Sequence, residues 1–78
     1  MKVGIIGQGY VGLTISAFAS GFFEVIGFDN NPRIVDQLNA GVSHIEGVEN
    51  SVLKTWVEAG QYRATNDAND LSDVDLVV

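Results

Sequence analysis

Short apolar runs alternate along the chain with stretches in which apolar residues recur every three or four positions. The runs predict four strands, over residues 3–6, 25–28, 62–65 and 74–78. Their β-branched residues, without polar alternation, are typical of strands that are buried on both faces. The run at 62–65 is shorter and more polar, which favours an edge position in the sheet.

The intervening stretches predict three helices and a final helical turn at residues 67–72. The expected apolar stripes are Val11, Ile15, Phe18 and Ala19 on the first helix, Ile34, Val35 and Leu38 on the second, and Val52, Leu53, Trp56 and Val57 on the third. The candidate caps are Asn30 or Asn31 before the second helix, which has Pro32 in its first turn, and Asn50 or Ser51 before the third. Gly21, Gly41 and Gly60 follow the three helices, and we expect Gly21 to adopt the left-handed conformation that often ends a helix.

Strands that alternate with helices predict the α/β class, with a parallel sheet, flanking helices and right-handed crossovers. The chain has 78 residues, which is enough for one small domain. Its last run is too apolar for an exposed edge, and no helix follows to cover it. We therefore expect residues 1–78 to be the first part of a longer, doubly wound domain, and we expect self-association through the last strand.

Composition narrows the range of partners. Ten acidic and four basic side chains give a formal charge of −6, which disfavours nucleic acid and anionic membranes as partners. The chain has no cysteine, so it offers no disulfide, no cysteine-ligated metal and no thiol nucleophile. It also has neither a signal-peptide pattern nor an apolar run of about 18 residues. We expect a cytoplasmic protein without a metal site.

A glycine-rich segment follows the first predicted strand and opens the first helix. It runs Gly7-Gln8-Gly9-Tyr10-Val11-Gly12 and fits the G-x-G-x-x-G pattern. In this context Gly7 turns the chain off the strand, Gly9 lets a pyrophosphate approach the backbone, and Gly12 lets the helix pack close to the sheet. The helix then presents free N–H groups and the positive end of its dipole to the phosphates. The segment predicts a Rossmann-type dinucleotide site.

Asp29 completes this fingerprint at the end of the second predicted strand. A carboxylate there accepts hydrogen bonds from the adenosine ribose hydroxyls and repels a 2′-phosphate, which favours NAD over NADP. FAD stays open as an alternative because it binds to the same fingerprint. A glycine-rich turn and a capping aspartate in a fold that binds no nucleotide also stay open.

The same residues carry a resemblance to a known family. Residues 7–13 and 25–29 resemble the N-terminal domain of the nucleotide-sugar dehydrogenases, which include the UDP-glucose and UDP-N-acetylmannosamine 6-dehydrogenases. The likeness continues through Asn31-Pro32, Leu38-Asn39-Ala40-Gly41, Ser43-His44-Ile45-Glu46, Arg63-Ala64-Thr65 and Asp75-Leu76-Val77-Val78. It covers essentially the whole chain, and the Tyr-Val pair inside the glycine motif is fairly specific to the family.

The resemblance implies that Tyr10 and Val11 contact NAD, chiefly through their backbone at the phosphates, and that Asp29 binds the adenosine ribose. It also implies a basic residue five positions after the aspartate. Ile34 occupies that position and Arg33 precedes it, so Arg33 is the candidate for this contact. Gln8 is a departure, since leucine or methionine is usual in its place.

Family members oxidise a sugar primary alcohol to a carboxylate in two NAD-dependent steps, a reaction of polysaccharide biosynthesis. They use a cysteine that forms a thioester, and the resemblance places that cysteine and the UDP-sugar site beyond these residues. We therefore expect no catalytic residue in the chain and no activity from it alone. The Ser43-His44-Ile45 segment favours UDP-N-acetylmannosamine over UDP-glucose as the substrate of the full-length enzyme.

Two other functions stay open on the sequence alone. One is a non-catalytic module that binds or senses NAD and acts by association. The other is the first half of a different Rossmann dehydrogenase, of the hydroxyacid or 6-phosphogluconate type. The residues that follow the last strand would distinguish the second alternative from a nucleotide-sugar dehydrogenase. A glycine-rich loop there favours the hydroxyacid or 6-phosphogluconate type, and a threonine-proline pair favours a nucleotide-sugar dehydrogenase.

Overall fold

The structure is a computed structural model that describes residues 1–78. Its elements are β1 (Lys2–Ile6), α1 (Tyr10–Ala19), β2 (Glu24–Phe28), α2 (Pro32–Asn39), α3 (Asn50–Glu58), β3 (Tyr62–Thr65), a 3-10 helix (Ala68–Leu71) and β4 (Leu76–Val77). The strands form one sheet in the order β3-β2-β1-β4, and every neighbouring pair is parallel. This confirms the predicted α/β class with a Rossmann-type parallel sheet. None of the helices has the length and apolar character that a membrane crossing requires.

The hydrophobic core lies between one face of the sheet and the three helices. Ten buried residues form it: Val3, Ile5, Leu13, Val25, Val35, Leu38, Val48, Leu53, Tyr62 and Ala64. Val3, Val25 and Tyr62 lie side by side in register on β1, β2 and β3. The next core positions on this face, Ile5 and Ala64, flank Gly27, so a glycine lies at the centre of the sheet. The space that a side chain on Gly27 would occupy is filled by a polar side chain from the glycine-rich segment.

The face of α1 that packs on the sheet differs from the prediction. Val11 and Phe18 are 67% and 73% exposed, whereas Leu13 and Ser16 are fully buried. Leu13 is the one long apolar side chain that α1 buries in the core, and the small residues Ser16, Ala17 and Ala19 lie on the same side of the helix. The stripe of Val11, Ile15 and Phe18 therefore faces outwards, and only Ala19 of the predicted set is partly buried against the core. Val52 on α3 is likewise 41% exposed, against expectation.

Two of the three glycines that follow helices adopt the left-handed conformation. Gly41 has φ 79° and Gly60 has φ 75°, whereas Gly21 has no positive φ. The chain leaves α1 through Ser20, which stays right-handed, so the prediction for Gly21 is wrong. At that point the backbone N–H groups of Gly21 and Phe22 bond the carbonyls of Phe18 and Ala19, which closes the end of the helix.

One predicted helix cap is confirmed and one is wrong. The Asn31 side chain accepts a hydrogen bond from the Arg33 N–H, 3.0 Å away, directly before Pro32. The cap of α3 is Glu49, without a side-chain hydrogen bond. Asn50 lies inside α3 and uses its side-chain oxygen for the backbone N–H of Ser43, so it stabilises the preceding loop.

β3 is an edge strand, as its polar character predicted, and its outer edge is partly covered. The Asn39 side chain at the end of α2 donates to the Ala64 carbonyl at 2.9 Å and accepts from the Ala64 N–H at 2.8 Å. A primary amide thus replaces a neighbouring strand at one residue. At the opposite edge, β4 is shorter than predicted, and Leu76, Val77 and Val78 are about half exposed.

Candidate functional site

The glycine-rich segment turns sharply at the carboxyl end of β1. Gly7 has φ 83°, a left-handed conformation that other residues rarely adopt. Its N–H donates to the Phe28 carbonyl on β2 at 2.7 Å, so the turn begins while the chain is still paired with the neighbouring strand. The predicted role of Gly7 as the turning residue is therefore confirmed.

Gly9 precedes the first turn of α1 and lies on open space. A Cβ atom added at Gly9 would have no heavy atom within 4 Å outside the adjoining residues 8–10. The Gly9 carbonyl accepts the N–H of Leu13 at 2.9 Å, so the N–H groups of residues 10–12 have no partner inside the helix. An uncovered helix N-terminus of this kind attracts anions through its N–H groups and its dipole.

Gly12 lies where α1 crosses the turn. A Cβ atom added there would stand 1.6 Å from the Gly7 carbonyl oxygen, far inside contact distance. The absence of a side chain at residue 12 is thus what allows the helix to approach the turn. The sequence predicted this close packing against the sheet, and the structure places the contact at the backbone of the turn itself.

Asp29 stands beside this turn at the carboxyl end of β2. Its Oδ2 accepts the Gln8 N–H and its Oδ1 accepts the Asn31 N–H, each at 3.0 Å. A cavity of about 160 Å³ opens next to it, lined by Ile6, Gly7, Phe28, Asp29 and Asn30. Two backbone donors hold the carboxylate at the wall of this cavity and leave it further lone pairs with which to accept ligand hydroxyls.

Gln8 forms a buried polar cluster beneath the turn that we did not predict. Its side chain is fully buried. The Nε2 donates to the carbonyls of Ile5 and Gly7, and the Oε1 accepts the hydroxyls of Ser16 (2.9 Å) and Tyr62 (2.7 Å). A Cβ atom on Gly27 would stand 2.3 Å from that Oε1, so the glycine on β2 makes the space for the amide.

The Tyr62 hydroxyl is a permanent hydrogen-bond donor in this cluster. Burial raises the pKa of its phenol well above the usual value, and the charge of Asp29 adds to the shift. The phenol therefore keeps its proton throughout the physiological range. The one sequence signal for the cluster was Gln8 itself, a polar residue where the family resemblance led us to expect an apolar one.

The remaining predicted site residues lie at the start of the two helices. Tyr10 and Val11 form the first turn of α1, and their side chains are 68% and 67% exposed. Arg33 is exposed in the first turn of α2, four residues after Asp29, and makes no ion pair, since all three ion pairs of the chain involve Lys2 or Arg63. The Arg33 side chain makes no hydrogen bond with the glycine turn. Its predicted contact with the cofactor therefore stays a prediction.

The arrangement has the chemistry of a binding site for a dinucleotide. It offers a helix N-terminus to phosphates and a carboxylate to hydroxyl groups, at the carboxyl ends of neighbouring parallel strands, where ligands bind in open α/β sheets. No group of three or more His, Asp or Glu side chains stands in position to hold a metal ion.

Comparison with known proteins extends this description. The profile of the UDP-glucose/GDP-mannose dehydrogenase family, NAD binding domain, matches residues 1–78. The UDP-N-acetyl-D-mannosamine dehydrogenase of Escherichia coli is 49% identical over 65 residues, which are 81% of this chain and 16% of that protein. The enzyme of the same name from Pyrococcus horikoshii is 31% identical over 80 residues, covering all of this chain and 19% of its own length.

Solved structures show the same fold. A UDP-N-acetylmannosamine dehydrogenase from Pyrococcus horikoshii superposes with a TM-score of 0.89 at 30% identity, over 99% of this chain and 19% of that one. A ternary complex of GDP-mannose dehydrogenase from Pseudomonas aeruginosa gives a TM-score of 0.88 at 32% identity, over 99% and 18%. The chain thus spans less than a fifth of the length of these relatives. The cofactor of the matched domain is NAD, as predicted.

Proposed function

This chain belongs to the UDP-glucose/GDP-mannose dehydrogenase family, and we propose that it is the N-terminal, NAD-binding part of a longer enzyme that oxidises a nucleotide sugar. The observation that carries the proposal is the match of all 78 residues to the NAD-binding domain of that family. The glycine turn and Asp29 support it, because they provide a phosphate site and a ribose site side by side. The catalytic and UDP-sugar domains are proposed to lie outside residues 1–78.

We place NAD along the carboxyl ends of β1 and β2. The pyrophosphate lies over Gly7, Gly9 and Gly12 and accepts the backbone N–H groups of Tyr10 and Val11. The adenosine ribose donates its hydroxyls to Asp29 from the cavity beside it. Arg33 supplies a positive charge near the phosphates. The free first turn of α1 and the open space at Gly9 support this placement.

The proposed reaction is oxidation of the primary alcohol of a UDP-sugar to a uronate, for polysaccharide biosynthesis in the cytoplasm. UDP-N-acetylmannosamine is the favoured substrate, since a relative named UDP-N-acetyl-D-mannosamine dehydrogenase is 49% identical over 81% of this chain. The cysteine-free chain alone is proposed to be inactive, because the thioester step implied by the family resemblance needs a thiol.

The test is an activity assay of a longer protein that begins with this chain. NADH formation is followed by absorbance with UDP-N-acetylmannosamine, UDP-glucose or GDP-mannose, and the 78-residue chain is the matched control. We expect NADH from the longer protein with UDP-N-acetylmannosamine and none from the control. A longer protein that binds NAD but oxidises no nucleotide sugar would favour the alternative of an NAD-binding module.

We also propose that the exposed edge of β4 promotes self-association of the isolated 78-residue chain. Leu76, Val77 and Val78 are 52%, 53% and 58% exposed, and β4 pairs with β1 on one side only. Apolar edge strands pair with strands of other molecules. Sedimentation at increasing concentration should show dimers. A chain that stays monomeric at high micromolar concentration would contradict this proposal.

A further inference from the structure

One peptide group in the glycine turn is held at both of its polar ends. The carbonyl of Gly7 accepts the Gln8 Nε2 at 3.0 Å. The N–H of the same peptide group donates to the Asp29 Oδ2 at 3.0 Å. The orientation of this peptide therefore decides whether the carboxylate keeps one of its two backbone donors. The side chain of Gln8 controls that orientation from below.

The Gln8 amide is itself fixed in a single orientation. Its two N–H hydrogens go to the carbonyls of Ile5 and Gly7, and its oxygen takes the hydroxyls of Ser16 and Tyr62. A primary amide has two donor hydrogens and two acceptor lone pairs, so all four positions are used. Rotation of the amide by 180° would place its oxygen against two carbonyl oxygens, which the buried site cannot accommodate.

We propose that Gln8 is a positioning residue for the carboxylate of Asp29. Its Nε2 holds the Gly7 carbonyl, the Gly7–Gln8 peptide then aims its N–H at the carboxylate, and the carboxylate is thereby held ready for the ribose of NAD. This role rests on the proposed placement of NAD at the glycine turn. The hydroxyls of Ser16 and Tyr62 bond the other end of the amide and make no hydrogen bond to the backbone of the turn, which allows the two halves of the cluster to be tested separately.

The test compares three variants of the protein. Gln8→Met removes the donor to Gly7 and leaves the hydroxyls of Ser16 and Tyr62 buried without an acceptor. The triple variant Gln8→Met/Ser16→Ala/Tyr62→Phe removes those hydroxyls too, so only the carbonyls of Ile5 and Gly7 lose a hydrogen-bond partner. Tyr62→Phe alone keeps the Nε2 contacts. Thermal unfolding reports stability, and calorimetric titration reports the Kd for NAD and for NADP.

We expect Gln8→Met to lower the Tm and to weaken NAD binding by about tenfold. A change of this size in Kd corresponds to the net free energy of about one hydrogen bond. The triple variant should regain part of the lost Tm, because it removes the desolvation cost of the two unpaired hydroxyls. It should nevertheless bind NAD as weakly as Gln8→Met, with a smaller preference for NAD over NADP. Tyr62→Phe should lower the Tm and bind NAD normally.

A triple variant that binds NAD as tightly as the wild type, with the wild-type preference over NADP, would overturn the positioning role. A Tyr62→Phe variant that loses as much NAD affinity as Gln8→Met would also overturn it, because the loss of affinity would then result from the loss of stability alone. If the wild-type protein bound no NAD, the proposed site would fail and the positioning role with it.

Discussion

The carbonyl oxygen of Gly7 occupies the space that a side chain on Gly12 would need, since a Cβ atom there would lie 1.6 Å from it. The turn that leaves β1 and the helix that follows are therefore interlocked at backbone level. This interlock brings the N-terminus of α1 directly over the end of the strand, where the phosphates of NAD are proposed to bind.

The interlock makes Gly12 intolerant of the smallest side chain. Gly12→Ala should destabilise the protein by about 1–3 kcal/mol, the usual cost of forcing atoms into a packed site, because the clash is with backbone. The shift of the turn should also abolish NAD binding. Denaturant unfolding and an NAD titration measure the two effects. An alanine variant with wild-type stability would contradict the close packing at this position.

Gly9 should behave in the opposite way with respect to stability. Gly9→Val should leave the protein folded, because no heavy atom outside residues 8–10 lies within 4 Å of the added Cβ. It should abolish NAD binding, because the branched side chain would occupy the space of the pyrophosphate. Circular dichroism and calorimetry separate the two results. Retained NAD binding in a folded variant would show that the phosphates lie elsewhere.

Asn39 should stabilise the edge of the sheet. Asn39→Ala removes both hydrogen bonds to Ala64 and should lower the free energy of unfolding by about 1–3 kcal/mol. The bare edge should also increase aggregation. Asn66→Ala is the matched control, because Asn66 is exposed and its side chain makes no hydrogen bond within the chain. Equal stability of the two variants would mean that the amide does not protect β3.

Tyr62 should make the protein sensitive to alkaline pH. The pKa of its phenol is raised in the folded state, so the unfolded chain ionises first, above about pH 10. The stability should therefore be unchanged by this group below that pH and should fall as the pH rises further. Tyr62→Phe should flatten this part of a plot of stability against pH. An unaltered slope in the variant would assign the alkaline loss to other groups.

The sequence predicted the sheet and the glycine turn well, because both depend on local patterns. The β3 bounds agree exactly, and Gly7, Gly12 and Asp29 lie together as expected. The inward face of α1 could not be predicted from hydrophobicity alone, because it combines the apolar Leu13 with the polar Ser16, while Val11 and Phe18 are exposed. The cluster around Gln8 was missed because it joins Ser16 and Tyr62, which are distant in sequence.

The most direct test of the site is a calorimetric comparison of NAD and NADP with the wild-type protein and Asp29→Ala. We predict that the wild type binds NAD more tightly than NADP, because the carboxylate accepts the ribose hydroxyls and repels a 2′-phosphate. Asp29→Ala should weaken NAD binding by about 1.5–3 kcal/mol. It should also reduce the difference in affinity between NAD and NADP. Equal affinity of the wild type for the two cofactors, or an unchanged Kd for NAD in Asp29→Ala, would contradict the assignment of Asp29 to the ribose.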